Sequence, residues 1–361
     1  MGDMPSLPTS SSVSSPSSAP AATPASTQSG SASPIGFRRH PGLIALGSAA
    51  AVSAAVAVAY RRANSGRRTG TEIGTGADRF EDLGWGELEP PGEIAIPTAD
   101  GARLTAWDVG SGPTVVLPHC WGCSHAVWIP VARRLVESGH RVVLYDQRGH
   151  GTSTRGTAPL DLITLARDLA LVLEARDVAN AVLAGHSMGG MTVMALATFQ
   201  PEVLIQRGRA IVLVATTAAN AGGGLPQADR MAARLMGSPY LSRTLRTANG
   251  LRFVRSAFGV DPVLAHMDLT RTLFADCDPS VRAGYLKSMS AMNLLEGIAT
   301  IALPTTVVIG SRDRLTPPAR SQTLVDTIPG ARLVTLPDRG HMLPLEDPDA
   351  VADEIVRAVK G

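Results

Sequence analysis

Three cysteines in 361 residues, Cys120, Cys123 and Cys277, are too few to staple a chain of this length, so its fold must rest on a buried core. Charge is also sparse: 18% of residues are charged and the net charge is only +2. Nothing in that balance points to a nucleic-acid binder, and it favours a small or apolar partner. Lysine occurs only at Lys287 and Lys360. The excess of arginine reads as the codon bias of a GC-rich genome and carries no functional weight.

Large apolar side chains are scarce in residues 1–36, where Ser, Pro, Ala and Thr dominate. Such a segment cannot offset its ordering entropy and is expected to be a disordered tail. Residues 37–62 differ: Arg38 and Arg39 precede an uncharged run over 41–60, and Arg61, Arg62, Arg67 and Arg68 follow it. Twenty helical residues rise about 30 Å, enough to span a bilayer. Three readings stay open: a retained membrane anchor, an exported form cleaved near Ala57-Val58-Ala59 after a twin-arginine-like signal, and an Ala-rich soluble helix. As an anchor, the heavier positive flank on the C-terminal side would leave the rest of the chain facing the cytoplasm. A Gly-rich linker is expected over 63–92.

From residue 93 apolar strand signals alternate with helical ones. Strands are expected at 93–96 and 104–109, joined as a hairpin through Asp100-Gly101, and at 114–118, 141–146, 181–185, 210–215, 305–310 and 332–336. Helices are expected between the third and fourth strands and at 161–176, 188–199, 317–328 and 347–359. Short apolar strands separated by helices imply an α/β fold, a mostly parallel sheet covered on both faces. The expected core is 93–216 with 301–361, interrupted over 217–300 by an α-helical insertion that reads as a cap.

The sharpest motif is Gly185-His186-Ser187-Met188-Gly189-Gly190, between a strand and a helix. Glycines on either side of Ser187 permit a tight turn that holds its hydroxyl out at the top of the sheet. The first amides of the following helix are unpaired and suit an oxyanion forming beside it. A serine needs a base, and the base an orienting acid. Asp313 follows the strand at 305–310 and His341 the strand at 332–336, while the segment TTAANAG after 210–215 has no carboxylate to compete. Asp338 lies too near His341 in sequence to orient it, and Asp146 reads as a turn or network residue.

With its order Ser187, Asp313, His341, its YDQRGHGTS segment (145–153) and its GHSMGG turn, residues 93–359 resemble a single-domain α/β-hydrolase with a helical cap. The turn is similar to that of monoacylglycerol lipases and many bacterial esterases. The resemblance implies a serine hydrolase of carboxylic esters, with Ser187 as nucleophile, His341 as base and Asp313 as its orienter, needing no cofactor and no metal. In this family the loop after the third strand reads His-Gly-aromatic. Here it reads His119-Cys120-Trp121-Gly122, so the backbone N–H groups of Trp121 and Met188 would form the oxyanion hole, with Cys120 where glycine is usual. His150 and His186 are structural in such proteins.

Other readings remain beside this one. Cys120-x-x-Cys123 at a helix N-terminus suggests a lowered thiol pKa and redox chemistry, or, with His119 and His125, a metal site. A perhydrolase or carbon–carbon bond hydrolase would use a similar triad, and a membrane-tethered binding protein would keep the fold without turnover. A dehalogenase or epoxide hydrolase is disfavoured because its nucleophile is a carboxylate. The insertion carries Arg230, Arg234, Arg243, Arg246, Arg252 and Arg255 with no acidic residue between 230 and 260. They suit either a surface that meets lipid or the solvated outside of a cap. Met231, Met236, Met267, Met289 and Met292 are candidates for an apolar pocket, suited to a small ester or lipid substrate.

Overall fold

The computed structural model describes residues 83–86, 88, 91–221 and 226–361. The expected tail at 1–36, the candidate span at 41–60 and most of the expected linker lie outside the described residues. Among the described residues no single helix is long and apolar enough to cross a membrane. The last part of the expected linker is not free chain. Leu83 and Trp85 pack on the core, because an indole gains more by burial than a linker gains by freedom.

Eight strands form one sheet in the order β1-β2-β4-β3-β5-β6-β7-β8. β1 (Ile94–Pro97) and β2 (Arg103–Val109) are the expected antiparallel hairpin, and β2 runs antiparallel to β4 (Arg141–Tyr145). The remaining pairings are parallel, through β3 (Thr114–Pro118), β5 (Ala181–His186), β6 (Gly208–Val214), β7 (Thr305–Gly310) and β8 (Arg332–Leu336). β3, β5 and β7 are buried along their whole length. That is why they read as continuous apolar runs rather than as alternations.

Helices cover both faces. Leu162–Ala175 and Met188–Phe199 pack on one apolar cluster, Ile129–Glu137 and Pro348–Lys360 on the other. Each fully buried Leu or Val in these clusters contributes about 1.5–3 kcal/mol. Between β6 and β7 stands the helical insertion: Pro226–Met236, Pro239–Leu245, Ala248–Val254, Leu264–Asp276, Pro279–Ala291 and Leu295–Ile298. The fully buried Arg282 joins its parts, donating from Nε to Met236 O (3.2 Å), from one terminal nitrogen to Ser242 Oγ (2.7 Å) and from the other to Phe274 O. Arg234, Arg243, Arg246 and Arg252 lie exposed on the insertion, as both readings of these arginines require.

Three fully buried histidines near the ends of β3, β4 and β5 give the fold a titratable weakness. Burial pushes His119 down to about 4, and His150 and His186 each to about 3. In the unfolded chain these rings bind protons near pH 6.5. As pH falls from about 6.5 towards 4 the unfolded chain therefore takes up protons that the folded one refuses, and stability falls with it. Thermal melts at successive pH values should show Tm dropping across that window and not between pH 7 and 8.

Candidate active site

β5 delivers Ser187 at its C-terminal end with φ 53° and ψ −114°, a conformation costing a non-glycine residue about 1–3 kcal/mol. The surroundings hold it there. Its N–H donates to Val214 O (2.9 Å), and its carbonyl accepts from Met191 N–H (3.0 Å) and the Thr216 hydroxyl (2.7 Å). A Cβ on Gly189 would lie 2.1 Å from Pro118 O, and one on Gly185 2.4 Å from Gly189 O. The glycines around the serine thus serve a close approach of strand ends to the first helical turn.

His341 lies in the loop after β8. Its Nε2 is 3.0 Å from Ser187 Oγ, and its Nδ1–H donates to Asp313 Oδ2 at 2.8 Å. Asp313, buried in the loop after β7, accepts on Oδ1 from Leu315 N–H (2.7 Å) and Thr316 N–H (2.9 Å), and on Oδ2 also from the Thr316 hydroxyl (2.7 Å). The backbone of His341 is fixed at both of its polar groups. Its N–H donates to Ala257 O (2.7 Å), and its carbonyl accepts from His186 Nε2–H (2.8 Å). His186, expected to be structural, therefore holds the loop of His341.

Ser187 and His341 open into a cavity of about 150 Å³ whose walls are largely apolar, formed by Met191, Met236, Phe253, Phe274, Leu286 and Met289 among others. Of the five methionines expected there, Met236 and Met289 line it. Met231 is 71% exposed, and Met267 and Met292 are buried in the core clusters. Helical spacing gives which residues share a face, not which neighbour that face meets.

Trp121 also lines the cavity, in a turn closed by Cys123 N–H donating to Cys120 O (3.3 Å). Gly122 supplies the positive φ (+72°) of that turn. Cys120 is not in the left-handed region and has no need to be glycine. The Trp121 indole N–H donates to Arg282 O (3.1 Å) and its ring meets Phe274 edge-on at 5.0 Å, so the insertion holds this turn. Met188 is the first residue of its helix, where an N–H has no intrahelical acceptor.

The cysteine pair lacks the helix N-terminus that the redox reading assigned to it. The helical turn His125–Trp128 begins after Ser124, whose hydroxyl caps it, so Cys120 and Cys123 do not sit on a helix N-terminus. Both are free and buried, and the Cys123 thiol is pushed up by its hydrogen bond to Cys120 and by burial, the reverse of the expected lowering. The proposed ligands His119 and His125 are engaged elsewhere. His119 accepts from Gln147 N–H (2.9 Å) and donates to Cys120 O (2.8 Å), and His125 pairs with Asp146 (2.9 Å). Among the described residues no group of three His, Cys, Asp or Glu is arranged to hold a metal ion. Asp338 is exposed and pairs with Arg312.

Thr316 and Glu346 were not legible as site residues. Thr316 donates twice to Asp313, and Glu346 accepts from the residues flanking His341. Their one sequence signal is proximity, three residues after Asp313 and five after His341.

Residues 115–354 match the model of the alpha/beta hydrolase family. The chain is 29% identical over 255 residues to a pimeloyl-[acyl-carrier protein] methyl ester esterase of Xanthomonas campestris, covering 70% of this chain and 96% of the relative. Among solved structures, an enol-lactonase from Burkholderia xenovorans superposes with a TM-score of 0.60 at 26% identity, covering 72% of this chain and 97% of that one. A bromoperoxidase from Bacillus anthracis superposes with a TM-score of 0.67 at 19% identity, covering 75% and 100%, a likeness of fold alone. A family match over that span, on a sheet whose order and turn geometry are those described above, makes the chain a member of the alpha/beta hydrolase family.

Proposed function

We propose that the protein hydrolyses carboxylic esters with an apolar acyl group through an acyl-enzyme on Ser187. The observation that carries this is the continuous line Ser187 Oγ, His341 Nε2, His341 Nδ1, Asp313 Oδ2, with steps of 3.0 and 2.8 Å across the ring, at the mouth of an apolar cavity. Ser187 Oγ attacks the carbonyl carbon as His341 Nε2 takes its proton. Asp313 keeps the Nδ1–H tautomer and steadies the imidazolium. Trp121 and Met188 N–H donate to the oxyanion. The same Nε2 then returns the proton to the departing alkoxide, water attacks the acyl-enzyme by the same route, and acid and Ser187 are released.

Support for the acyl side comes from the cavity, whose walls offer an alkyl chain dispersion contacts and few polar partners. Relatives named for a methyl ester and an enol-lactone agree with attack on an ester carbonyl. The helical insertion serves as the cap of this site, since Met236, Phe253, Phe274 and Met289 all come from it. A fluorophosphonate probe should label the wild type and leave Ser187→Ala unlabelled, with p-nitrophenyl esters turned over by the wild type. Labelling that persists in Ser187→Ala, or a wild type that neither labels nor hydrolyses, would overturn the reading.

A further inference from the structure

The loop of His341 is joined to the insertion backbone to backbone. His341 N–H (2.7 Å) and Met342 N–H (3.3 Å) donate to Ala257 O, and Val260 N–H donates to Asp338 O (2.9 Å). The two segments run so close that a Cβ on Gly259 would lie 2.0 Å from Asp338 O, and one on Gly340 2.5 Å from Gly259 N. One side chain is held at this seam. Glu346 Oε2 accepts from Gly259 N–H (2.7 Å) on the insertion and from Gly340 N–H (2.9 Å) on the loop, while Oε1 accepts from Met342 N–H (3.0 Å). Both neighbours of His341 and the insertion are thus gripped by one carboxyl group that lines no part of the cavity. Burial works against a charge there, pushing the Glu346 carboxyl up from its ordinary range in spite of its three N–H donors.

We infer that Glu346 is a positioning residue for hydrolysis: it holds the His341 loop in register with Ser187 and ties that register to the insertion. The inference rests on His341 acting as the base. It has a consequence for substrate preference. Phe253, Val254, Ser256 and Ala257 line the cavity just before Gly259, so an acyl chain packed there presses on the backbone whose Ala257 carbonyl holds His341. With Glu346 in place the seam is closed whether or not the chain reaches it. Without Glu346, only a substrate long enough to pack on residues 253–257 keeps it closed.

The test compares Glu346→Ala and Glu346→Gln with wild type on p-nitrophenyl acetate and octanoate, alongside the fluorophosphonate labelling rate and thermal melts. A displacement of about 1 Å at a reacting group costs about 100-fold in rate. Glu346→Ala should lose about 100-fold in kcat on acetate and distinctly less on octanoate, with KM changed by less than about two-fold. Glu346→Gln keeps an oxygen for Gly259 and Gly340 but turns an NH2 towards Met342 N–H, so it should recover part of the loss. It also serves as the folded variant if the alanine form does not fold. Folded variants with wild-type kcat, or an equal loss on both esters that follows the loss of folded protein, would overturn the inference. Failure of the wild type to label would instead remove the ester reading beneath it.

Discussion

Asp313→Asn should lower kcat for a p-nitrophenyl ester by about 10⁴-fold, with little change in KM and a retained fold. The size of the loss follows from which atom the asparagine must turn towards the imidazole. Asp313 Oδ1 accepts two backbone N–H groups, from Leu315 and Thr316, so the asparagine oxygen is held at that position. Its NH2 then takes the place of Oδ2, facing His341 Nδ1 and the Thr316 hydroxyl. The Thr316 hydroxyl can rotate to accept. The imidazole can only accept that N–H at Nδ1, and so must carry its own proton on Nε2, where it faces Ser187 Oγ. A base already protonated at the reacting nitrogen cannot take the serine proton. Steady-state kinetics and fluorophosphonate labelling should fall together. A variant with wild-type kcat would show that Asp313 does not set the tautomer.

Arg148→Met should destabilise the fold by about 3–5 kcal/mol. The Arg148 guanidinium, 2% exposed, forks onto Asp168 with both contacts at 2.7 Å, and its remaining nitrogen donates to Asp100 (2.6 Å) and Arg155 O (2.9 Å). It ties the loop after β4 to the helix Leu162–Ala175 and to the β1–β2 turn. Methionine fills much of the same volume but leaves the Asp168 carboxylate buried, with no cation beside it. Burial already raises the Asp168 pKa with Arg148 present, and loss of the cation will raise it further. A carboxyl whose folded pKa lies above its unfolded value stabilises the fold when protonated and loses that contribution as pH rises. The deficit against wild type should therefore be larger at pH 8 than at pH 5. Adding Asp168→Leu should restore part of the loss, because the second substitution removes the orphaned charge. Urea unfolding of the two single variants and the double variant would check this. An Arg148→Met midpoint equal to wild type would sink the argument.

The inner strands of the sheet were legible because burial on both faces leaves an unbroken apolar run. Thr114–Pro118 and Thr305–Gly310 are read at their full extent from residue type alone. The elbow was legible because its pattern is complete within the six residues Gly185 to Gly190, although one contact that demands its glycines, that of Gly189 with Pro118, comes from a neighbouring strand. The lining of the cavity was less legible: the assignment of Met231 to a pocket failed where Met236, five residues on along the same helix, succeeded. A helix of amphipathic residues does not state which of its faces will be covered.

What the sequence determined by itself is the set of chemical groups and their order along the chain: a serine in a strand–turn–helix, then an aspartate and a histidine each following its own strand. Local propensity and apolar pattern suffice for that, since each signal is complete within a few residues. Only the tertiary structure decided which groups complete the arrangement, because His186, Thr316, Glu346 and Ala257 act through hydrogen bonds to loops brought together by the sheet. It also decided that Cys120 and Cys123 are free, buried thiols set before a capped helical turn and not at its first residues. Such contacts depend on distances across the fold, and neither spacing nor composition carries them.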